Sequence, residues 1–132
     1  MEKLPELQII GVLHGDISSH EDAPKNYTES ERIGSLAIFP EFKEALDGIV
    51  AGQTIVVLFW LHQAARDILK VHPRGDMSKK LRGVFATRSP SRPNPIAISE
   101  LTVIAIQGNR LEVSGLDILD GTPIVDIKKK IG

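Results

Sequence analysis

The segment from Gly83 to Pro95, GVFATRSPSRPNP, concentrates side chains that could do chemistry. Arg88, Arg92 and Asn94 lie there among three prolines. Proline fixes φ at about −65° and donates no backbone hydrogen bond, so the stretch is stiff and holds its polar groups at defined angles. Rigid polar groups that follow a strand are typical of a pre-positioned binding site. The alternative is a proline-rich surface turn whose arginines pair with acidic residues elsewhere.

A second polar segment, LDILDGT, runs from Leu116 to Thr122. Asp117 and Asp120 flank two apolar residues, and such a pair can ligate a metal, act as acid and base, or accept hydrogen bonds from a cationic ligand. The spacing lacks the oxygen ligands of a calcium loop, so we expect no metal. Ordinary turn chemistry is the alternative, because Asp-Gly is a common turn pair.

His62 and Gln63 follow the apolar run TIVVLFWL. Histidine carries protons near neutral pH, and glutamine can read the edge of a base. A structural role for a lone histidine at a strand end remains open. The other histidines are scattered without zinc-ligand spacing. The sequence has no cysteine, which excludes disulfides and thiolate chemistry, and no glycine-rich nucleotide cradle follows a strand.

Charge is distributed unevenly along the chain. The net charge is −1, but the segment from Arg66 to Arg92 has eight basic and two acidic residues, which gives +6 there and −7 elsewhere. Such asymmetry indicates a surface that faces phosphates on an otherwise acidic body. A solvated basic loop is the alternative interpretation.

Mostly strands are predicted to position these side chains. Short β-rich runs separated by turn residues predict strands at Leu7–His14, Gly34–Phe39, Thr54–Leu61, Leu81–Thr87, Ile96–Gln107, Arg110–Val113 and Pro123–Ile127. Helical spacing predicts a short helix at Glu41–Ile49 and one or two helical turns at Gln63–Val71. Strands do not alternate with helices, so a doubly wound sheet is disfavoured. The predicted fold is mainly β, a compact barrel or sandwich with one or two short helices.

The length of 132 residues predicts one domain over residues 1–132. The longest apolar run is too short to cross a bilayer, and the N-terminal MEKLPELQ lacks the apolar stretch of a secretory signal. We therefore expect a cytoplasmic protein that has no membrane partner.

Two long motifs give the sequence a specific resemblance. GVFATRSPSRPNPIAIS (Gly83–Ser99) and LDILDGTPIVDIK (Leu116–Lys128) resemble the TrmO/YaeB family, and IIGVLH and FWLHQ match it in order. The resemblance implies a β-barrel methyltransferase outside the Rossmann class that uses S-adenosylmethionine. It also implies a homodimer that methylates N6 of threonylcarbamoyladenosine beside the tRNA anticodon.

Carried over residue by residue, the resemblance implies a cofactor pocket and a set of catalytic side chains. The cofactor-binding residues would be Pro24, Lys25, Asn26, Tyr27, His62, Gln63, Arg88, Glu100, Asp117, Ile118, Leu119 and Asp120. The catalytic residues would be Asn94, Arg92 and His62. No metal is expected, and the Arg66–Arg92 segment would contact the anticodon loop of tRNA.

The resemblance also suggests roles for these side chains. Arg88 would clamp the methionine carboxylate, and the two aspartates would accept hydrogen bonds from the cofactor. Asn94 would orient the substrate amine, and Tyr27 is a candidate for base stacking.

The sequence departs from the family pattern after Asp126-Ile127-Lys128. It ends there in KKIG, where better-known members continue as DIKPY into a further domain that is expected to help hold tRNA. The acceptor is therefore the open question. The alternatives are a binding module for S-adenosylmethionine, a methyltransferase with a small-molecule or other RNA acceptor, and an RNA-binding barrel without a cofactor.

Overall fold

The computed structural model describes residues 3–16 and 32–132, and within them the backbone forms eight strands. These are β1 (Gly11–His14), β2 (Ile33–Ile38), β3 (Thr54–Trp60), β4 (Lys70–Val71), β5 (Arg82–Gly83), β6 (Ile96–Gln107), β7 (Arg110–Ser114) and β8 (Pro123–Lys129). Six of them close into an antiparallel barrel in the order β1-β2-β7-β6-β3-β8, while β4 and β5 pair as a separate ribbon. The predicted β-barrel is confirmed.

Strand β3 explains how the apolar run TIVVLFWL builds the barrel wall. It pairs with β6 from Thr54↔Thr102 to Trp60↔Ile96, and with β8 on its other side. Successive side chains of a strand face opposite sides, so Ile55, Val57 and Phe59 point inward and are almost completely buried. Each such burial stabilises the fold by about 1.5–3 kcal/mol. The alternate residues of β3 cover the outside of the barrel.

The core lies inside the barrel, and every barrel strand contributes to it. Its buried members are Leu13, Leu36, Ile38, Ile55, Val57, Phe59, Leu101, Val103, Leu111, Val113, Leu116, Ile118 and Ile124. Two of these, Leu116 and Ile118, come from the connection between β7 and β8 rather than from a strand. The core therefore fixes that connection to one end of the barrel.

The connection from β2 to β3 covers the opposite end. It contains a 3₁₀ helix, Pro40–Leu46, whose Phe42 and Leu46 pack against the core together with Ile49. The sequence predicted a helix at Glu41–Ile49, and the observed element is shorter because the chain turns at Gly48, where φ is +98°. None of the helices in the described stretches is long and apolar enough to span a bilayer.

Antiparallel pairing brings three connections to one end, which we call the mouth of the barrel. The pairs His14↔Ser35, Trp60↔Ile96 and Ile33↔Ser114 place the ends of β1, β3 and β7 beside the beginnings of β2, β6 and β8. The connections 15–32, 61–95 and 115–122 therefore all leave from the mouth. They contain every predicted site residue except Glu100, which lies on β6.

The connection 61–95 corrects two sequence predictions. Residues 63–69 form turns and bends instead of the predicted helical turns, and β4 follows them. The predicted strand Leu81–Thr87 ends at Gly83, where the chain enters a 3₁₀ turn, Val84–Ala86. Sequence propensity was overridden there because the carbonyl of Val84 accepts hydrogen bonds from Thr87 N and from the Arg92 guanidinium rather than from a neighbouring strand.

Candidate functional site

Asp117 is the half-buried carboxylate of the mouth. Its Oδ1 accepts a hydrogen bond of 3.0 Å from the Ser99 hydroxyl, and Ser99 is fully buried on the inward face of β6. Burial raises the pKa of Asp117 above its ordinary value, although the Ser99 hydroxyl and its own backbone N–H oppose the rise. A carboxylate whose charge is penalised in this way is stabilised by an approaching cation. Asp117 therefore suits a positively charged ligand.

Asp120 fastens the same loop to the end of β1. Its Oδ1 accepts a hydrogen bond of 3.1 Å from Gly15 N and lies 4.0 Å from Nδ1 of His14. The next residue, Gly121, donates through its N–H to Leu13 O at 2.8 Å. Asp120 thus has the turn role that its Asp-Gly sequence suggested, while about half of its side chain stays exposed to a ligand.

The described residues that flank the segment 17–31 contact the loop Leu116–Thr122, which we call the aspartate loop, through Gly15 and Arg32. The carbonyl of Arg32 accepts hydrogen bonds from Gly115 N at 3.0 Å and from Leu116 N at 3.2 Å, and Asp16 and Arg32 approach to 3.6 Å. The predicted cofactor residues Pro24, Lys25, Asn26 and Tyr27 lie outside the described residues. Their two flanks nevertheless sit beside the aspartate loop.

A glycine allows the close approach of this loop to β2. A Cβ atom on Gly34 would lie 2.4 Å from Cδ1 of Leu116 and 2.7 Å from the carbonyl oxygen of His14. Both separations are far below van der Waals contact, so a side chain at residue 34 would displace the Leu116 side chain and crowd the backbone of β1. The position of the aspartate loop thus depends on Gly34, which lies outside the two sequence motifs Gly83–Ser99 and Leu116–Lys128.

The two apolar residues of the loop, Ile118 and Leu119, hold it in place. Ile118 is a buried member of the core, and the half-buried Leu119 accepts a hydrogen bond of 2.7 Å at its carbonyl from the Thr122 hydroxyl. Both were predicted to bind the cofactor. The side chain of Ile118 faces the core, so backbone groups are what this residue offers to a ligand.

Arg66 organises the Pro93-Asn94-Pro95 segment. Its Nε donates to Pro93 O at 2.7 Å and its Nη2 donates to Asn94 Oδ1 at 3.2 Å, while its guanidinium lies 5.0 Å from the centre of the Trp60 ring. Leu61 N also donates to Pro95 O at 2.8 Å. The exposed amide of Asn94 is therefore held in a defined orientation close to the turn that begins after Leu61.

Arg92 is bound to its own loop. Its Nη1 donates to Thr87 O at 3.2 Å and to Ser89 O at 2.9 Å, and its Nη2 donates to Val84 O at 3.0 Å. With three backbone carbonyls as partners, this half-buried guanidinium fixes the shape of residues 84–89. The geometry gives Arg92 a positioning role, whereas the resemblance implied a catalytic one.

Arg88 is exposed and lines an open cavity of about 1000 Å³ within the connection 61–95. Thr87 and Ser89 line the same cavity, but Asp117 and Asp120 do not. The described residues thus place Arg88 and the aspartates at one end of the barrel without joining them in a single cavity.

His62 and Gln63 are both exposed in the turn that follows β3. Glu100 faces the outside of the barrel, since its neighbours Ser99 and Leu101 point inward, and its Oε2 pairs with Lys130 Nζ at 3.1 Å. The residue of this region that contacts Asp117 is Ser99, which the sequence analysis missed. Strand alternation with Leu101 and Val103 would have identified Ser99 as an inward hydroxyl.

The predicted site residues described at the mouth fall into two groups, which lie in different connections. His62 and Gln63 lie in the turn tied to Asn94, and Asp117 and Asp120 lie in the loop tied to the end of β1. In residues 3–16 and 32–132, no three His, Asp or Glu side chains are arranged to hold a metal ion. The arrangement offers carboxylates for a cation, a fixed amide, and arginines for anions.

Known proteins match this chain over nearly its whole length. Residues 12–131 match the family model described as the tRNA-methyltransferase O N-terminal domain. A protein from Archaeoglobus fulgidus named S-adenosyl-L-methionine-binding protein is 43% identical over 123 residues, which is 93% of this chain and 87% of that protein. A probable S-adenosyl-L-methionine-binding protein from Methanothermobacter thermautotrophicus is 43% identical over 119 residues, 90% of this chain and 85% of that protein.

A solved structure has the same fold. The crystal structure of TrmO from Pseudomonas aeruginosa superposes with a TM-score of 0.77 at 30% identity. The superposition covers 98% of this chain and 57% of the TrmO chain, so the present chain spans little more than half the length of that relative.

Proposed function

The chain belongs to the family of the tRNA-methyltransferase O N-terminal domain, and we propose that it is an S-adenosylmethionine-dependent methyltransferase acting on an adenosine of tRNA. The finer proposal is that the acceptor is N6 of threonylcarbamoyladenosine beside the anticodon. The observation that carries the proposal is the half-buried Asp117, held by the buried Ser99 at the same end of the barrel as the basic segment 66–92.

The chemistry of the mouth fits the charges of the cofactor. S-adenosylmethionine has a sulfonium, an ammonium and a carboxylate, and when bound it supplies an electrophilic methyl group. Asp117 and Asp120 are the groups that would hold its cationic part and its hydroxyls. Arg88 is the group that would hold its carboxylate by a charge-assisted, two-point hydrogen bond. The names of the two archaeal relatives support S-adenosylmethionine as the ligand.

Transfer to nitrogen requires alignment more than acid–base strength. Asn94 is already oriented by Arg66, and its Oδ1 retains a second lone pair with which it can accept a hydrogen bond from the substrate amine. Arg92 contributes by fixing residues 84–89, and with them the backbone next to Arg88. His62 is exposed at the same turn and is our candidate for accepting the proton that the amine loses.

The RNA acceptor is supported by charge. Eight basic residues lie between Arg66 and Arg92, and this whole segment belongs to the connection that leaves the mouth. Phosphate contacts by such a segment make affinity strongly dependent on salt. We propose that the segment contacts the backbone of the anticodon loop.

Methyl transfer can be tested directly. The protein is incubated with S-adenosylmethionine labelled in the methyl group and with anticodon stem-loops that contain either threonylcarbamoyladenosine or unmodified adenosine, and the nucleosides are analysed by mass spectrometry. We expect a labelled methyl on the modified nucleoside alone. Labelling of the unmodified adenosine would overturn the finer proposal that the acceptor is threonylcarbamoyladenosine, and no labelling of either RNA would overturn the proposal that the acceptor is an adenosine beside the anticodon.

A binding module for S-adenosylmethionine is the second candidate. The resemblance placed Arg92 among the catalytic residues, but its guanidinium donates hydrogen bonds to three backbone carbonyls. This observation favours a structural role for the proline-rich motif. Tight binding of the cofactor in calorimetry, without transfer to any tRNA of a cell extract, would select this candidate.

A further inference from the structure

The cavity beside Arg88 combines an apolar wall with a cationic rim. Val71, Pro73 and Met77 contribute to the wall, while Lys79, Arg82 and Arg88 contribute positive charge. Among residues 3–16 and 32–132, no aspartate or glutamate lines it. An apolar surface next to several cations suits a ligand that has one flat, weakly polar part and one anionic part.

The loop on one side of this cavity is shaped before any ligand arrives. Nδ1 of His72 lies 2.8 Å from Lys79 O, and Arg74 adopts a left-handed conformation with φ of +54°. Asp76 turns its carboxylate into the loop, where the hydroxyl and the N–H of Ser78 bind it at 2.6 and 2.9 Å. These hydrogen bonds lower the pKa of Asp76, so its carboxylate stays charged beside Lys79, and the rim remains cationic because its arginines and lysine outnumber this one carboxylate.

Phe85 projects from the other side of the same connection. It follows the buried Val84 and precedes Ala86, which lines the cavity, and 82% of its surface is exposed. The 3₁₀ turn at Val84–Ala86 buries one neighbour and presents the ring to solvent, and Arg92 stabilises that turn through Val84 O. An aromatic ring held outward by a fixed backbone is a suitable surface for stacking.

We infer that Phe85 and the adjoining cavity bind an unpaired nucleotide of the RNA, with its base stacked on the Phe85 ring and its phosphate near Lys79 and Arg82. This inference rests on the proposed RNA acceptor and adds the residue that selects a single-stranded loop over a duplex. Proteins that bind single-stranded nucleic acid combine such aromatic platforms with basic grooves. Bases in a duplex are already stacked and are not available to the ring.

The charge of the cavity favours RNA over a second copy of the chain as its occupant. Outside residues 66–92 the chain has a net charge of −7, but that charge is spread over the whole body, whereas a nucleic acid has an anionic phosphate next to every base. The cavity has an apolar wall next to a cationic rim, and a nucleotide has a flat base next to an anionic phosphate, so the two are complementary.

The test compares two RNA probes on the full chain. One is an anticodon-length hairpin that contains an unpaired loop, and the other is a blunt duplex of the same stem, both labelled with fluorescein. We expect the wild-type chain to prefer the hairpin, and Phe85→Ala to weaken hairpin binding about tenfold while duplex binding stays unchanged. Phe85→Trp should retain or strengthen hairpin binding, because the larger ring still stacks.

Matched controls separate this inference from the proposed function. Val50→Ala removes an exposed apolar side chain at the far end of the barrel and should change nothing. Binding of S-adenosylmethionine, measured by calorimetry, should be the same in Phe85→Ala and wild type. The inference is overturned if Phe85→Ala binds the hairpin as tightly as the wild type does, or if the substitution instead changes the sedimentation of a dimer. The methyl-transfer assay decides the proposed function in either case.

Discussion

Asp117 connects the stability of the fold with the chemistry at its mouth. The side chain is held by Ser99, yet its burial makes the charged form costly, so its pKa is raised. The folded state therefore binds a proton more readily than the unfolded chain does. For this group, stability is greatest below the ordinary aspartate pKa of about 3.9 and falls as pH rises through the folded-state pKa. Charge at this position weakens the fold, and we propose that it serves ligand binding.

The first prediction concerns Asp117→Asn. The amide oxygen can still accept the Ser99 hydrogen bond, but the buried charge is gone, so the free energy of unfolding at neutral pH should be equal to or higher than that of the wild type. Affinity for S-adenosylmethionine should fall about tenfold, the loss of roughly one charge-assisted contact of ~1.4 kcal/mol. Urea unfolding and calorimetry measure the two quantities.

The pH dependence gives the control for this prediction. Wild-type affinity for S-adenosylmethionine should decline on acidification, as the carboxylate of Asp117 takes up its proton at a pH above the ordinary value, and Asp117→Asn should lack that decline. S-adenosylhomocysteine, which has no sulfonium charge, should show a smaller decline. Equal pH profiles for the wild type and the variant would remove Asp117 from the cation site.

At the scale of elements, the sequence predicted the barrel strands more accurately than it predicted the connection 61–95. The bounds of β6 were predicted as observed, because its run is rich in β-branched residues and Gly108, with φ of +61°, begins the turn that ends it. The strand predicted at Leu81–Thr87 ends at Gly83, since the carbonyls of Val84 and Thr87 accept hydrogen bonds from Arg92 rather than from a neighbouring strand. Local sequence propensity does not predict a contact between residues eight positions apart, such as the one between Arg92 and Val84.

The candidate site was likewise predicted in part. The aspartate loop and the proline-rich segment were found from their composition, because turn residues and dense polar groups are local signals. The hydrogen bond from Arg66 to Asn94 and the outward ring of Phe85 were not found. Phe85 stands in a β-prone run, and only the tertiary structure decides which of Val84 and Phe85 is buried.

The second prediction tests the connection 61–95 as an element. Arg92→Lys keeps the charge but cannot serve three carbonyls in the same fixed geometry. We expect a loss of about 1–3 kcal/mol in the free energy of unfolding, the cost of leaving partly buried carbonyls without partners. Faster proteolysis within residues 84–89 should accompany it, and urea unfolding with limited proteolysis measures both. Arg110→Lys, an exposed residue of β7, is the control, and equal stability of the two variants would contradict the role of Arg92.

At the scale of the whole molecule, closure of the barrel determines how another copy can bind. The closed barrel has no free strand edge, so a partner that binds the barrel strands docks on their outer face. The outer face of β3 and β6 is apolar near the mouth, where Trp60 pairs with Ile96 and Leu58 with Ile98. Ile96 and Ile98 of this face are 37% and 43% exposed, and neighbouring exposed apolar side chains mark interaction surfaces.

We propose that this outer face forms the twofold interface of a homodimer. In an isologous contact the same stripe serves both copies, so a charge placed in it is brought against its own counterpart and acts twice. Ile98→Glu should therefore convert the dimer into monomers in sedimentation equilibrium, while Val50→Glu at the far end should leave the dimer intact. Far-ultraviolet circular dichroism confirms that both variants are folded. A wild-type chain that sediments as a monomer at every concentration tested would contradict the dimer, and a dimer that survives Ile98→Glu would move the interface to another face of the barrel.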